Sequence, residues 1–142
     1  MALIHGAKGI IYFAHEFKPR FIEAGLLSDE EMARGVGAIN RQVGELAPVL
    51  NASDVAGAVV TSSKNELPVD FMIKQHAGQL YLFSIAMRGD DSTATFTLPD
   101  PGDARVEVLG EARSIDAVGG KWQDRFKGYE VHLYRIILRT GK

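Results

Sequence analysis

The stretch that decides the fold reads GYEVHLYRIIL and covers residues 128–138, near the end of the chain. It follows a glycine, is rich in Val, Ile and Tyr, which favour strands, and stops at a short polar tail. It therefore predicts the terminal strand of a β-sandwich. His132 lies on this strand, and the alternation of the strand places it most simply at the surface or at a sheet edge.

Working back from that strand, the chain from about residue 55 is a series of short strand-like segments. They cover residues 58–62, 69–74, 80–86, 92–98, 105–109, 112–115, 122–126 and 129–138. The connection at residues 76–78 suits a hairpin, and residues 92–98 alternate threonine with apolar side chains, as a strand with one wet face does. Six to eight strands at roughly 8–12-residue spacing predict a mainly β fold, an antiparallel β-sandwich.

A helix is predicted before the sandwich. Ser28 and Glu31 form a capping box, and the acidic residues 29–31 suit the positive end of the helix dipole. Pro48 cannot continue the hydrogen-bond ladder, so the regular helix should end near Ala47. The spacing of the apolar residues predicts one narrow stripe that packs on a flat partner surface. This stripe consists of Met32, Val36, Ile39, Val43, Leu46 and Leu50.

The opening stretch reads HGAKGIIYF and covers residues 5–13. Its continuous apolar run suits a strand that is buried on both faces, as in parallel sheets. The rest of the chain offers no second parallel candidate, so the stretch looks like a barrel strand without its barrel. We expect residues 1–51 to form this strand and the helix, residues 51–54 to mark the boundary, and residues 55–142 to form the sandwich.

Composition excludes several classes of partner. The net charge is −2, which gives no electrostatic case for nucleic acid. The chain has no cysteine, and its four histidines are scattered, so we predict no metal site. No apolar run approaches the ~20 residues of a membrane span, and the start lacks the leader of a signal peptide. We expect a soluble chain that uses no cofactor and no membrane partner; its localisation stays open.

No arrangement of residues calls for catalysis. Glycoside hydrolysis needs two carboxyl groups ~5 to 9.5 Å apart, whereas most early acids read as helix N-terminal charge and the later ones lie in turns. A Gly-x-Ser-x-Gly nucleophile elbow is absent from the sequence. We therefore predict no catalytic residue.

The order of these segments resembles the end of a (β/α)₈-barrel glycoside hydrolase. Residues 2–13 are similar to the last barrel strand of β-galactosidase-like retaining glycosidases, and the helix that ends in LAPVL resembles the eighth barrel helix. Residues 108–115, 122–126 and 131–135 are similar to the closing strands of the C-terminal sandwiches of such enzymes. The resemblance covers nearly the whole chain.

The resemblance implies a non-catalytic C-terminal portion of a glycoside hydrolase, because the acid and nucleophile of such barrels lie on earlier strands. Its sandwich would brace the barrel and is a candidate to contact carbohydrate. A stand-alone carbohydrate-binding or protein-interaction module is the alternative, and a small hydrolase complete in itself is a third reading.

Four residues are candidates for contact with substrate. His15 and Glu16 follow the barrel-like strand and would lie at the active-site end of a barrel, or form a solvated polar pair. Tyr12, together with Phe13, would form part of a wall that stacks on sugar, or belong to the core or to an interface. Trp122, the single tryptophan, would stack on a pyranose ring if exposed, although burial at one end of the sandwich is commoner.

The N-terminal strand also predicts a partner. A strand shaped for neighbours on both edges and cover on both faces leaves edges that template another chain and apolar surface that marks an interface. We expect a homo-oligomer, a symmetric dimer joined through the N-terminal segment.

Overall fold

A computed structural model describes residues 1–100 and 102–139 of the chain. Two helices come first, α1 (Gly25–Ser28) and α2 (Glu30–Leu50). Nine strands follow, and they are β1 (Ser53–Asp54), β2 (Val59–Ser62), β3 (Val69–His76), β4 (Gln79–Ala86), β5 (Ser92–Thr97), β6 (Ala104–Val108), β7 (Arg113–Ala117), β8 (Lys121–Phe126) and β9 (Val131–Leu138).

The strands form two antiparallel sheets. The larger sheet has the order β1-β3-β4-β9-β6-β7, and the smaller has the order β2-β5-β8. The terminal strand β9 pairs with β4 on one side and β6 on the other, so it lies inside the larger sheet. The predicted fold class is confirmed: a helix precedes two packed antiparallel sheets. Each of the eight predicted strands has a counterpart within a few residues.

The core lies between the two sheets. Phe96 and Trp122 face each other in register across β5 and β8, and their rings stack at 5.0 Å. Tyr134 from the larger sheet meets Phe96 edge-on at 5.4 Å. Aromatic side chains bury large areas and prefer such offset and edge-on contacts. The same inward faces carry the buried aliphatic residues, which are Val69, Ile73, Leu82, Leu98, Val106, Val108 and Ile136.

The hairpin between β3 and β4 forms where the sequence predicts it. The strands pair from Val69 with Ala86 down to His76 with Gln79, and only Ala77 and Gly78 connect them. Both connecting residues have positive φ, 49° and 76°. A two-residue loop with positive φ at both positions matches the twist of the strands, and glycine reaches that conformation without strain.

The ends of α2 differ from the prediction. Asp29, one residue after Ser28, is the N-cap: its carboxylate accepts a hydrogen bond of 3.0 Å from the backbone N–H of Met32. The Ser28 hydroxyl donates to the Gly25 carbonyl instead. The helix continues through Pro48 to Leu50, and the Ala47 carbonyl in this last turn accepts from the backbone and the side chain of Asn51.

The apolar stripe of α2 is covered only in part. Toward its C-terminal end, Leu46 and Leu50 are partly covered, and Val49, which lies beside the stripe, is buried. Toward its N-terminal end, Met32 and Ile39 keep about half of their surface, 53% and 50%, in contact with solvent. The prediction of one continuously buried stripe is therefore wrong for the first half of the helix.

The predicted N-terminal strand is not formed. Residues 9–13 have no ladder partner in the described structure, and Ile11 is 97% exposed. A buried strand needs neighbours on both edges, and the sandwich strands pair with one another instead. The nearest regular pairing is an isolated bridge between Glu16 and Ile22. Among the described residues, no helix is long and apolar enough to cross a bilayer.

Candidate functional site

The candidates Tyr12, His15 and Glu16 lie together on the N-terminal segment. The Tyr12 hydroxyl donates a hydrogen bond of 2.8 Å to the Asn40 side-chain oxygen, which ties the segment to α2. The backbone of Glu16 exchanges two hydrogen bonds with Ile22. A Cβ atom at Gly25 would come within 2.7 Å of the Glu16 Cβ, so only glycine lets α1 approach this backbone.

His15 belongs to an exposed aromatic cluster. Its ring lies 5.5 Å from that of Phe13 and 5.6 Å from that of Phe21, and Phe17 stacks beside them. The three phenylalanines are 61–71% exposed. We call Phe13, His15, Phe17 and Phe21 the aromatic cluster. Exposed aromatic residues in contact with one another are typical of an interaction surface.

Trp122 is not part of this group. Its indole is only 3% exposed and lies in the core between the sheets. Of the two positions expected for Trp122, the structure has the buried one, and a sugar ring cannot stack on the indole there. Strand β8 turns this side chain toward Phe96 and the larger sheet, because Trp122 alternates with the exposed Lys121 and Gln123.

A cleft of about 920 Å³ lies between the N-terminal segment, α2 and β3. Residues 3–10 form one wall, the last turns of α2 form the second, and residues 71–74 of β3 form the third. Its polar lining comes from all three walls and from the short strand β1. These polar residues are His5, Lys8, Asn40, Asn51, Asp54 and Lys74.

Lys74 is the buried charge of the cleft. It is 5% exposed, and its ammonium donates to the Asp54 carboxylate at 2.7 Å and to the Ala52 carbonyl at 3.2 Å. The hydrogen bond from Lys74, helped by its positive charge, holds the pKa of Asp54 below its ordinary value. At the rim, the His5 ring lies 3.2 Å from the Asp70 carboxylate. The sequence does not reveal this group, because four separate segments of the chain contribute to it.

A second polar cluster joins the two sheets. Arg113 on β7 binds the Asp124 carboxylate on β8 through two hydrogen bonds of 3.0 and 2.7 Å. The Tyr134 hydroxyl donates to the same carboxylate at 2.9 Å. Arg113 also binds Glu111, which contacts the His132 ring.

The position of His132 differs from the predicted surface or edge position. It is 4% exposed on its side chain, not at the surface or an edge, because β9 lies inside the larger sheet and turns His132 toward the core. Glu111 on one ring nitrogen and the Arg125 carbonyl, 3.0 Å from the other, compensate its burial.

Burial and these contacts shift the titration of the cluster. Burial raises the pKa of Tyr134, and the negative charge of Asp124 raises it further. The hydrogen bonds to Asp124 raise the pKa of Arg113. Partial burial would raise the pKa of Glu111, but hydrogen bonds from Arg113 and His132 outweigh it, so the pKa of Glu111 lies below its ordinary value. The cluster thus keeps its charges in place and holds the sheets together.

Among residues 1–100 and 102–139, no group of three His, Cys, Asp or Glu side chains could hold a metal ion. The carboxylates of the second cluster are occupied by arginine, tyrosine and histidine. The cleft therefore remains the arrangement best suited to binding a molecule, with donors and acceptors on its walls and volume typical of ligand sites.

The fold of the chain is similar to part of some solved structures. No protein-family model and no curated protein matches the chain. The crystal structure of AmyP in complex with maltose has a TM-score of 0.55 at 15% identity and covers 75% of this chain. A variant of AmyP in complex with maltotriose has a TM-score of 0.54 at 17% identity and covers 83%.

These likenesses show a shared fold. The chain spans only 20–23% of the length of the matched AmyP chains. The sandwich from residue 53 to residue 139 makes up about three fifths of the chain, so a match of 75–83% also includes part of residues 1–52. The similarity therefore extends beyond the sandwich into the N-terminal region.

Proposed function

We propose that the chain is a non-catalytic C-terminal portion of a glycoside hydrolase, whose sandwich braces a (β/α)₈ barrel. The observation that carries the proposal is the match to about a fifth of AmyP, which includes residues of the sandwich and residues of the region before it. The two AmyP structures are complexes with maltose and with maltotriose. A carbohydrate-related role for this chain follows from that likeness.

The surface of the N-terminal region supports the bracing role. Between residues 10 and 39, nine large apolar side chains are exposed, and they are Ile10, Ile11, Tyr12, Phe13, Phe17, Phe21, Leu27, Met32 and Ile39. Exposed apolar area on this scale marks an interface. In the proposed arrangement, the neighbouring strands and helices of the barrel cover these residues, and Tyr12, His15 and Glu16 lie near the substrate.

A stand-alone carbohydrate-binding or protein-interaction module is the second candidate. The observation that favours it is the complete core of the sandwich, in which Phe96, Trp122 and Tyr134 are buried without help from residues 1–50. Such a core allows the sandwich to fold and act alone.

The DNA upstream of Met1 distinguishes the two candidates. The proposed function expects an open frame that continues upstream and encodes further βα units. A stop codon and a promoter directly before Met1 would contradict it and favour the stand-alone module. As a biochemical counterpart, we expect the isolated chain to show no turnover of a panel of aryl glycosides. Turnover that Glu16→Gln abolishes would make Glu16 catalytic and overturn the proposal.

Without a barrel, we propose that two copies pair through the N-terminal segment. The nine exposed apolar residues are the candidate contact surface, because exposed apolar area marks an interface. We expect sedimentation at ~100 µM to show a dimer, a concentration at which even modest affinity suffices. Phe17→Asp should give a monomer, and Lys64→Asp, on an exposed residue of the sandwich, should not. A monomeric parent chain would contradict the pairing.

A further inference from the structure

We propose that the cleft between the N-terminal segment, α2 and β3 is a binding site for a neutral, polyhydroxylated ligand, a short oligosaccharide. The inference rests on the proposed carbohydrate-related function and assigns it a place in the fold. The cleft volume of about 920 Å³ lies in the range of small-molecule sites.

The hydrogen bonds already made in the cleft leave defined groups for a ligand. The Lys74 ammonium has three donors and uses two of them, on Asp54 and Ala52. Its third N–H has no partner among the described residues. Because Lys74 is nearly fully buried, a ligand oxygen that accepts this N–H compensates for its lost hydration.

The two asparagines of the cleft are oriented in opposite senses. The Asn40 oxygen accepts from the Tyr12 hydroxyl, which leaves the Asn40 NH₂ group as a donor. The Asn51 NH₂ group donates to the Ala47 carbonyl, which leaves the Asn51 oxygen as an acceptor. Tyr12 thus acts as a positioning residue for Asn40.

This mixture of groups selects the ligand class. The donors are Lys74, Lys8 and the Asn40 amide, and the acceptors are Asp54 and the Asn51 oxygen. A hydroxyl group donates and accepts at once, so vicinal hydroxyls satisfy both kinds of group. Asp54 repels an anion, and the two lysines repel a cation. The apolar wall, with Ile10, Val43 and Met72, suits the C–H face of a sugar ring.

The test is an NMR titration of the ¹⁵N-labelled full chain with maltotriose and cellotriose, and with trigalacturonate as an anionic probe. We expect at least one neutral trisaccharide to saturate with a millimolar Kd and to shift amides of residues 3–10, 40–51 and 72–74. Asn40→Ala should raise the Kd about fivefold, as expected for one neutral hydrogen bond. Gln42→Ala, an exposed neighbour on α2 outside the cleft, should leave the Kd unchanged.

Four results would overturn the proposal. The first three are no saturable binding of either neutral probe, amide shifts confined to other parts of the chain, and tighter binding of trigalacturonate than of both neutral probes. The fourth is an equal loss of affinity in the Asn40→Ala and Gln42→Ala variants. None of these results bears on the upstream reading frame, so failure of the cleft and failure of the proposed function are distinguishable.

Discussion

The sandwich buries its large apolar side chains, whereas the N-terminal region leaves many of its own exposed. In residues 53–139, two sheets cover each other, and Phe96, Leu82 and Ile136 are almost completely buried. In residues 1–39, Ile11, Phe13 and Phe17 remain largely exposed, although they are equally apolar. Apolar composition alone therefore does not make a core. A sequence must also contain the opposing surface, and the N-terminal region lacks one within the described chain.

The largest expected effect is a difference in stability between two substitutions, one in each region. Phe96→Ala empties a site at the centre of three ring contacts and should destabilise the chain by about 3–5 kcal/mol. Phe17→Ala, in the exposed aromatic cluster, should change the stability of the monomer by less than ~0.5 kcal/mol. Urea unfolding of both variants at low protein concentration measures this. Similar losses of stability in the two variants would contradict the difference in burial between the two regions.

The next effect concerns the link between the two sheets. Asp124→Ala removes the partner of both Arg113 and Tyr134. We expect a loss of about 2 kcal/mol, less than the ~3–5 kcal/mol of a fully buried pair, because Arg113 is still 36% exposed on its side chain. Asp116→Ala, whose carboxylate forms an exposed ion pair with Arg139, is the control and should cost under ~1 kcal/mol. Equal losses would show that the link adds no stability.

An effect of similar size is expected along α2. Val49→Asp places a charge in a buried position and should destabilise by ~2 kcal/mol or more. Ile39→Asp, at a half-exposed position on the same helix, should cost well under ~1 kcal/mol in the monomer. Thermal unfolding of the two variants compares the ends of the helix. A greater loss of stability from Ile39→Asp than from Val49→Asp would show that the N-terminal end of α2, and not its C-terminal end, is the covered one.

The smallest effect is the response to acid. The pKa of Glu111 is lowered in the folded chain, so the folded state binds its proton less readily than the unfolded state. The contribution is present above the ordinary pKa near 4.5 and is lost as the pH falls through the lower folded pKa. We expect Glu111→Gln to flatten the fall in stability below about pH 5. An unchanged acid slope would show that Glu111 does not contribute.

The sequence predicts the sandwich well because its signals are local. Alternation along residues 92–97 and the turn at Ala77 and Gly78 identify strands whose partners lie nearby. The errors arise where a partner decides the outcome. Residues 9–13 have the composition of a buried strand, but no strand lies beside them among the described residues.

The candidate site was harder to predict than the fold. Tyr12, His15 and Glu16 are consecutive or nearly so, and their proximity follows from the sequence. The cleft joins Lys74, Asp54 and Asn40 from three separate elements, and no spacing along the chain reveals that contact. The burial of His132 was hard to predict for the same reason. It depends on the order of the strands, which places β9 inside the larger sheet.

Residue-resolved amide hydrogen exchange, at low micromolar concentration, tests the contrast between the two regions most directly. Protection reports local opening free energies, from near zero up to the global stability. We expect amides of β4 and β9 to exchange at the rate of global unfolding, and amides of residues 9–21 to exchange close to the unprotected rate. Protection of residues 9–21 equal to that of β4 would contradict this expectation, because the N-terminal segment would then be covered within its own chain.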